Sequence, residues 1–431
     1  MAKRARIPLL NERRTRLCTR LFGMRYNATV KRKIRYTLPV LAIIVAVLAV
    51  PLIIMNTLRT NRQLAEWWTK TIARGFERVV GALTSWLPFS VFEFCIVVLV
   101  LIGLFLFGRL IINLCKGRFR PIVVGLLSIA VGAAYVGNLY MLSMGFGYYR
   151  YSLPLPQSGA TYKVEKVIEV AEYFLDDYNA LADKFPRDEN GCVINPYGFD
   201  GTSRLLQEEF KRLDGNDYYS KYTPHAKRIV NSWLMSDTLI TGVTFLPTGE
   251  ANLNIDAPPS VITLTMAHEL AHTKGVQREG DANLLAQYIL LSSDDDYLRY
   301  CGYYNTFGGL MSAILLAMGD DYGYAKEYNR LIAQMNPLIG IEHRYAIEYW
   351  QKQPDIIGKL GEFFNDLYLK LNGATNGTGS YDDGNHSSAI RPTDPSTGEP
   401  IEDPDTGKPV YIPVYSMLQR VFFYLYEEKT K

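Results

Sequence analysis

At 431 residues the chain has room for more than one domain. Its net charge of +3 and hydrophobic content of 48% are ordinary averages that hide an uneven distribution. A basic tail, residues 1–36, holds twelve Lys and Arg against one acid, Glu12, and three long apolar runs follow before residue 145. A basic block beside an apolar run sets membrane orientation, so no nucleic-acid partner is expected. The five cysteines form no CxxC pair, which argues against a cysteine zinc site.

The first run, Thr37–Met55, is uncharged. It is long enough to cross a hydrocarbon core of about 30 Å at about 1.5 Å per residue. A signal peptide has a shorter apolar core and a shorter basic head, so the run predicts an uncleaved anchor. The second run, 87–108, carries Glu93 near one end, within reach of headgroups or a neighbouring helix. The third, 121–144, contains Gly125, Ser128, Gly132, Ala133 and Ala134, which permit close helix packing. The 109–120 loop has Arg109, Lys116, Arg118 and Arg120 and no acid, whereas the loop between runs one and two mixes basic residues with Glu66 and Glu77. These charges put the N-terminus and the 109–120 loop in the cytoplasm. Three crossings of the lipid bilayer then place residues 146–431 outside it, with "GFGYYRYSLPLP" as an interfacial exit and linker.

The second half reads as a mostly helical α+β domain. Residues 161–185 and 202–213 keep apolar stripes at helical spacing. A β-branched stretch "TLITGVTFL", a "PTG" turn and the alternating "EANLNI" predict a strand pair. "DAPPS" breaks the chain, and Ser260 or Thr263 is suited to cap a helix over 261–274, with Gly275 past its end. Further helical patterns cover 281–293, 297–318, 322–335, 355–373 and 415–428. Residues 372–413, rich in Gly, Pro, Asp, Ser and Thr, read as a flexible surface excursion. Cys192 and Cys301 could pair or remain free buried thiols.

The stretch "TMAHELAHTKGVQREGDANLLAQYI" (Thr265–Ile289) carries the chemistry. His268 and His272 lie one helical turn apart, so both imidazoles project from one face and can bind one tetrahedral ion. Glu269 projects to one side of that pair and is placed to act as general base toward a metal-activated water. The bland alternative is a chance HExxH, against which stands its position inside a helix that follows a strand pair. A catalytic zinc takes three protein ligands and leaves one position open. Glu279 opens the next helix after a glycine break and is the first choice for the third ligand. Asp281 is its competitor, equally suited to a first-turn carboxylate. Asn283, four residues on from Glu279, shares its face and could buttress the site. Arg278 stands where a third histidine would fall in the pattern HExxHxxGxxH.

HExxH followed by Glu-x-x-Ala-Asn resembles gluzincin-like membrane peptidases, a resemblance that implies Glu279 as third zinc ligand and Asn283 as its support. The longer stretch from Thr248 to Ile289, with "FFNDLYLKLNG", resembles a bacterial family catalogued as domain of unknown function 3810. That resemblance implies an N-terminal membrane region, here a bundle of three transmembrane helices, and a zincin-like domain with a small sheet and an HExxH helix. The gap from His272 to Glu279 is shorter than in the membrane peptidases. The reading that results is a membrane-anchored zinc metallopeptidase with Zn2+ as cofactor and a protein or peptide as substrate. A non-catalytic sensor or scaffold that binds peptides or wall fragments is the alternative. Strand residues Glu250, Ala251, Asn252, Leu253 and Asn254 could form the sheet edge that receives an extended substrate. For the oxyanion donor, Tyr303, His343, Arg344 and Tyr345 are candidates by residue type.

Overall fold

The structure is a computed structural model that describes residues 28–319, 322–402, 404, 407 and 410–431, without the side chains of 28–36 and 355–356. Most of the basic tail, residues 1–27, lies outside the described residues. The fold is mostly helical, with three long apolar helices in the N-terminal half and two small sheets.

The apolar helices are α1 (Ala28–Leu58), α4 (Val91–Cys115) and α5 (Phe119–Tyr140). Spans Thr37–Leu58, Val91–Cys115 and Phe119–Tyr149 are long and apolar enough to cross a membrane. Their large side chains, such as Ile43, Leu101, Phe105 and Leu126, stand exposed, which suits lipid and not water. Two short helices, α2 (Arg62–Trp68) and α3 (Arg74–Thr84), joined by a π-turn over Thr69–Ala73, separate the first two apolar helices.

The chain divides into two compact units, one of residues up to 53 with 100–138, the other of 54–99 with 139–431. Within the first unit, Asn138 Nδ2 donates to the carbonyl of Leu48 at 2.9 Å, and Gly137 lies against Leu52. Within the second, α2 and α3 join the C-terminal domain through charges and hydrogen bonds. Lys70 pairs with Asp217 at 2.7 Å, and Thr84 Oγ1 donates to Thr248 O at 2.9 Å. The stretch expected as an exit linker is itself packed, because Arg150 is only 1% exposed. It donates from Nε and Nη2 to the two oxygens of Glu66 at 3.0 and 2.7 Å, and from Nη1 to Gly275 O at 2.9 Å.

The second unit continues with α6 (Val164–Lys184), α7 (Gly198–Lys211), β1 (Lys227–Arg228), α8 (Ser232–Asp237), β2 (Gly242–Phe245) and β3 (Glu250–Leu253). Then come α9 (Pro259–Thr273), α10 (Glu279–Leu291), α11 (Asp296–Met318), α12 (Ala325–Gln334), α13 (Pro337–Gln351) and α14 (Asp355–Leu371). A second sheet, β4 (Ser388–Ile390) with β5 (Ile412–Val414), and α15 (Met417–Thr430) complete it. One core joins α6, α9, α10, α11 and α15, with Phe174, Tyr178, Tyr297, Tyr300, Tyr303 and Phe422 fully buried. Burial of each such ring contributes about 1.5–3 kcal/mol.

Helix α9 starts two residues earlier than a Ser260 cap, and five earlier than a Thr263 cap, would place it. Pro259 occupies its first position, where the missing N–H costs nothing. Ser260 Oγ instead donates to the buried carboxylate of Glu342 at 2.6 Å. That carboxylate also accepts from Arg187 and Tyr300 at 2.9 and 2.6 Å, which anchors the α9 start to α11 and α13. Cys192 and Cys301 are free buried thiols.

Candidate metal centre

Helix α9 carries His268, Glu269 and His272, and α10 opens on Glu279. The five residues between the helices reverse the chain. Gly275 takes φ +85°, a left-handed conformation that costs glycine no Cβ clash. The hinge is held from inside: Gln277 Nε2 donates to His272 O at 2.8 Å, and Arg150 reaches the Gly275 carbonyl.

Three ligand-type atoms converge across this hinge. His268 Nε2 and His272 Nε2 are 3.1 Å apart, and Glu279 Oε2 lies 3.2 and 3.4 Å from them. A tetrahedral ion with bonds of about 2.0–2.1 Å has ligand–ligand edges of roughly 3.3 Å, so the spacing fits one ion. All three side chains are buried, and among the described residues they form the group of three that could hold a metal ion. The tautomer fits as well. His272 Nδ1 lies 2.7 Å from Val276 O, so in the neutral imidazole the proton sits there and the Nε2 lone pair faces the group. Asp281 does not compete, because its carboxylate is engaged by Arg278 at 2.7 Å.

Without an ion the group is a strongly coupled set of charges. Burial pushes the Glu279 carboxyl up, but the two histidines outweigh it and hold it down at about 2. Burial pushes the His272 imidazole down, but Glu279 and Glu269 outweigh it and raise it to about 9. A ligand must be deprotonated, so at pH 7.5 metal uptake is expected to release about one proton per ion, and affinity to rise with pH until about pH 9. Titration calorimetry in buffers of different ionisation enthalpy measures this. Uptake without proton release would contradict it.

Glu269 is buried at 5% exposure, and burial raises its carboxyl above the ordinary value. Strand β2 packs on it: Thr244 Oγ1 donates to the Glu269 backbone carbonyl at 2.7 Å. A Cβ added to Gly242 would fall 2.5 Å from Glu269 Oε1 and 2.8 Å from Thr265 Cγ2. Gly242→Ala is therefore expected to displace the carboxylate while the ligand triangle stays intact. Metal content should be unchanged and any hydrolytic turnover reduced by at least tenfold, or about 1.4 kcal/mol. Equal losses of metal and turnover would refute the local effect.

Two groups of neighbouring residues have partners of their own. Strand β3 is the middle of its sheet, antiparallel to β2 along Glu250–Leu253 and parallel to β1 at Asn252 and Leu253, and all four residues are buried. The Glu250 carboxylate instead accepts from Lys227 Nζ at 2.6 Å and from the Val91 and Phe92 amides at the start of α4. Asn254 donates to Ser236 Oγ and Ile240 O. Asn283 does share a face with Glu279, but its amide donates to the Tyr381 carbonyl at 2.9 Å.

That bond brings in a residue the sequence reading missed. Tyr381 lies on a short 3₁₀ segment, Gly377–Asp382, and its ring packs 6.1 Å from that of His268 at 31°. Burial and the Glu279 charge raise its hydroxyl pKa. Residues 372–384 therefore cover the site, and the surface excursion is confined to the stretch after them. Tyr148 and Tyr368, with hydroxyls 3.0 Å apart, also stand near Glu279. A cavity of about 240 Å³ opens beside Glu279, bordered by Tyr148, Tyr149, Asn372 and Ser380. Of the oxyanion candidates named by type, Tyr303 and His343 are engaged elsewhere. Tyr303 donates to Asp177, His343 stacks on Tyr304, Arg344 is exposed and Tyr345 is half-buried on α13.

Residues 68–384 match the family described as "Protein of unknown function (DUF3810)", and the chain belongs to that family. The match spans both ligand helices and the Tyr381 segment. No curated protein and no solved structure matches the chain.

Proposed function

We propose that this member of a family of unknown function is a membrane-anchored zinc metallopeptidase acting on an extracytoplasmic protein or peptide. One observation carries the reading: the His268–His272–Glu279 triangle is buried, spaced for one ion, and has a carboxylate, Glu269, directly beside a ligand in the chain. Three protein donors leave one coordination position open, as in catalytic and unlike structural zinc sites. When bound, zinc would polarise a substrate carbonyl and lower the pKa of water.

The chain's own residues do the rest. The Glu269 carboxylate takes a proton from the water whose oxygen bonds to the peptide carbonyl carbon, and delivers it to the amine released as the C–N bond breaks. Tyr381 and the 372–384 segment limit water on the His268 side. Strand β2 lies at the outside of its sheet and against Glu269, so its main chain, and not that of β3, is where an extended peptide would pair.

Topology supports the membrane part of the reading. The segment between the first two apolar helices packs with the chain after the third. Both must then lie on one side, as three crossings require. The basic N-terminal tail and the 109–120 loop favour the exterior for that side. A reporter fused to Lys431 should be active only outside the cytoplasm, and cytoplasmic activity would overturn the orientation.

The test of function uses the full chain in detergent. A fragment of 146–431 would lack Glu66 and leave Arg150 buried without its carboxylate. One zinc per chain together with cleavage in a peptide library supports the reading. Metal with no cleavage favours the non-catalytic binder, and absence of metal removes the site.

A further inference from the structure

Helix α14 carries an apolar stripe that stays open. Ile357, Leu360, Phe364, Leu367 and Leu371 recur at three- and four-residue spacing, so they share one helix face. All five are exposed, from 38% at Ile357 to 66% at Leu371. The opposite face is tightly seated. A Cβ on Gly361 would fall 2.5 Å from Thr238 O, and one on Gly358 3.1 Å from Leu239. Leu369 and Asn372 are buried. The helix is thus fixed in place with its greasy side outward, a pattern that soluble domains rarely tolerate.

Two tethers indicate which surface the stripe meets. At one end, buried Arg59 donates to Asn372 Oδ1 at 3.0 Å and to Leu371 O at 2.8 Å. Arg59 directly follows Leu58, the last residue of the first apolar span. At the other, the Thr238–Leu239 turn under α14 ends a segment that begins at Val230. The Val230 and Asn231 amides donate to the Glu93 carboxylate at 2.9 and 2.8 Å. Glu93 sits in the first turn of α4, the second apolar helix. The same segment exposes Val230, Trp233 and Leu239. The end of one crossing helix and the start of the next necessarily lie at the same membrane face, and α14 is bonded toward both.

We propose that α14 and the 230–239 segment form an in-plane lipid-binding surface. The stripe lies at the boundary between headgroups and acyl chains of the leaflet where α1 ends and α4 begins. An amphipathic helix with Phe and Leu on one face suits that depth, and Trp233 suits the interface. The seated face of α14 supplies Leu369 and Asn372 to the cavity beside Glu279, so docking holds that cavity close to the lipid surface. Polypeptide segments near the bilayer are therefore the favoured visitors. The docking rests on the membrane reading of the three apolar helices and does not depend on the peptidase reading.

The test needs no turnover. Phe364→Cys is made in the full chain with Cys18, Cys95 and Cys115 replaced by Ser, labelled with a fluorophore, and placed in phosphatidylethanolamine–phosphatidylglycerol nanodiscs. Leu367→Cys is a second stripe position, Glu208→Cys on α7 an exposed control, and circular dichroism with a thermal melt reports folding. Stripe labels should be quenched by shallow lipid-borne nitroxides and several-fold less by iodide than the control label. Iodide quenching equal to the control would overturn the proposal. So would a 364–364 disulfide in discs holding two copies, which would assign the stripe to a second copy of the chain.

Discussion

Glu269→Gln should lower peptide hydrolysis by about 10²–10⁴-fold, the usual contribution of a positioned proton acceptor, while zinc content stays at one per chain. Glutamine keeps the shape and burial of the side chain but cannot take up a proton. Its removal leaves the ligand triangle untouched, because the converging atoms belong to His268, His272 and Glu279. The informative control is Glu279→Gln, which removes the one carboxylate among the ligands and should lower zinc content itself. Metal analysis and kcat measured on the same samples separate the two. If Glu269→Gln cleaves as fast as the parent, proton transfer by this carboxylate is refuted.

Glu66→Ala is expected to destabilise the chain by about 3–5 kcal/mol, as removal of one partner from a buried ion pair does. Arg150 is 1% exposed and would be left without its carboxylate. Burial raises the Glu66 carboxyl, but hydrogen bonding and charge from Arg150 outweigh it, so the pair is ionised at neutral pH. Arg150→Ala should cost less, because Glu66 keeps 15% side-chain exposure and a second cation, Lys70, at 3.3 Å. It should nonetheless weaken zinc retention, since Arg150 also holds the Gly275 carbonyl of the ligand hinge. Unfolding of the full chain in detergent measures both. A cost below about 1 kcal/mol for Glu66→Ala, typical of an exposed pair, would refute the buried bridge.

Much of the metal group was legible because its geometry is local. His268 and His272 share a face through helical periodicity alone, and a glycine seven residues after the first ligand announces the reversal that brings Glu279 back. The neighbours were not legible. Nothing in "GTGSYDDG" distinguishes a tyrosine that covers an imidazole from one on a loose loop. The alternation in "EANLNI" marks a strand but not its rank in the sheet, which depends on β1 being recruited from more than twenty residues upstream. Asn283 was placed on the correct face, yet its partner proved to be a backbone carbonyl almost a hundred residues away.

By itself, then, the amino-acid sequence determined three apolar segments long enough to cross a membrane, the strand pair before the HExxH helix, and the ligand types on one hinge, all set by periodicities of two to four residues or by simple length. Only the tertiary structure decided that 62–84 packs with the C-terminal domain, that Arg150 ties it to the hinge, that Gly242 brings β2 against Glu269, and that Tyr381 closes over His268. Those are meetings between segments far apart in the chain. They depend on how buried charges find partners and how faces fit, which no local pattern encodes.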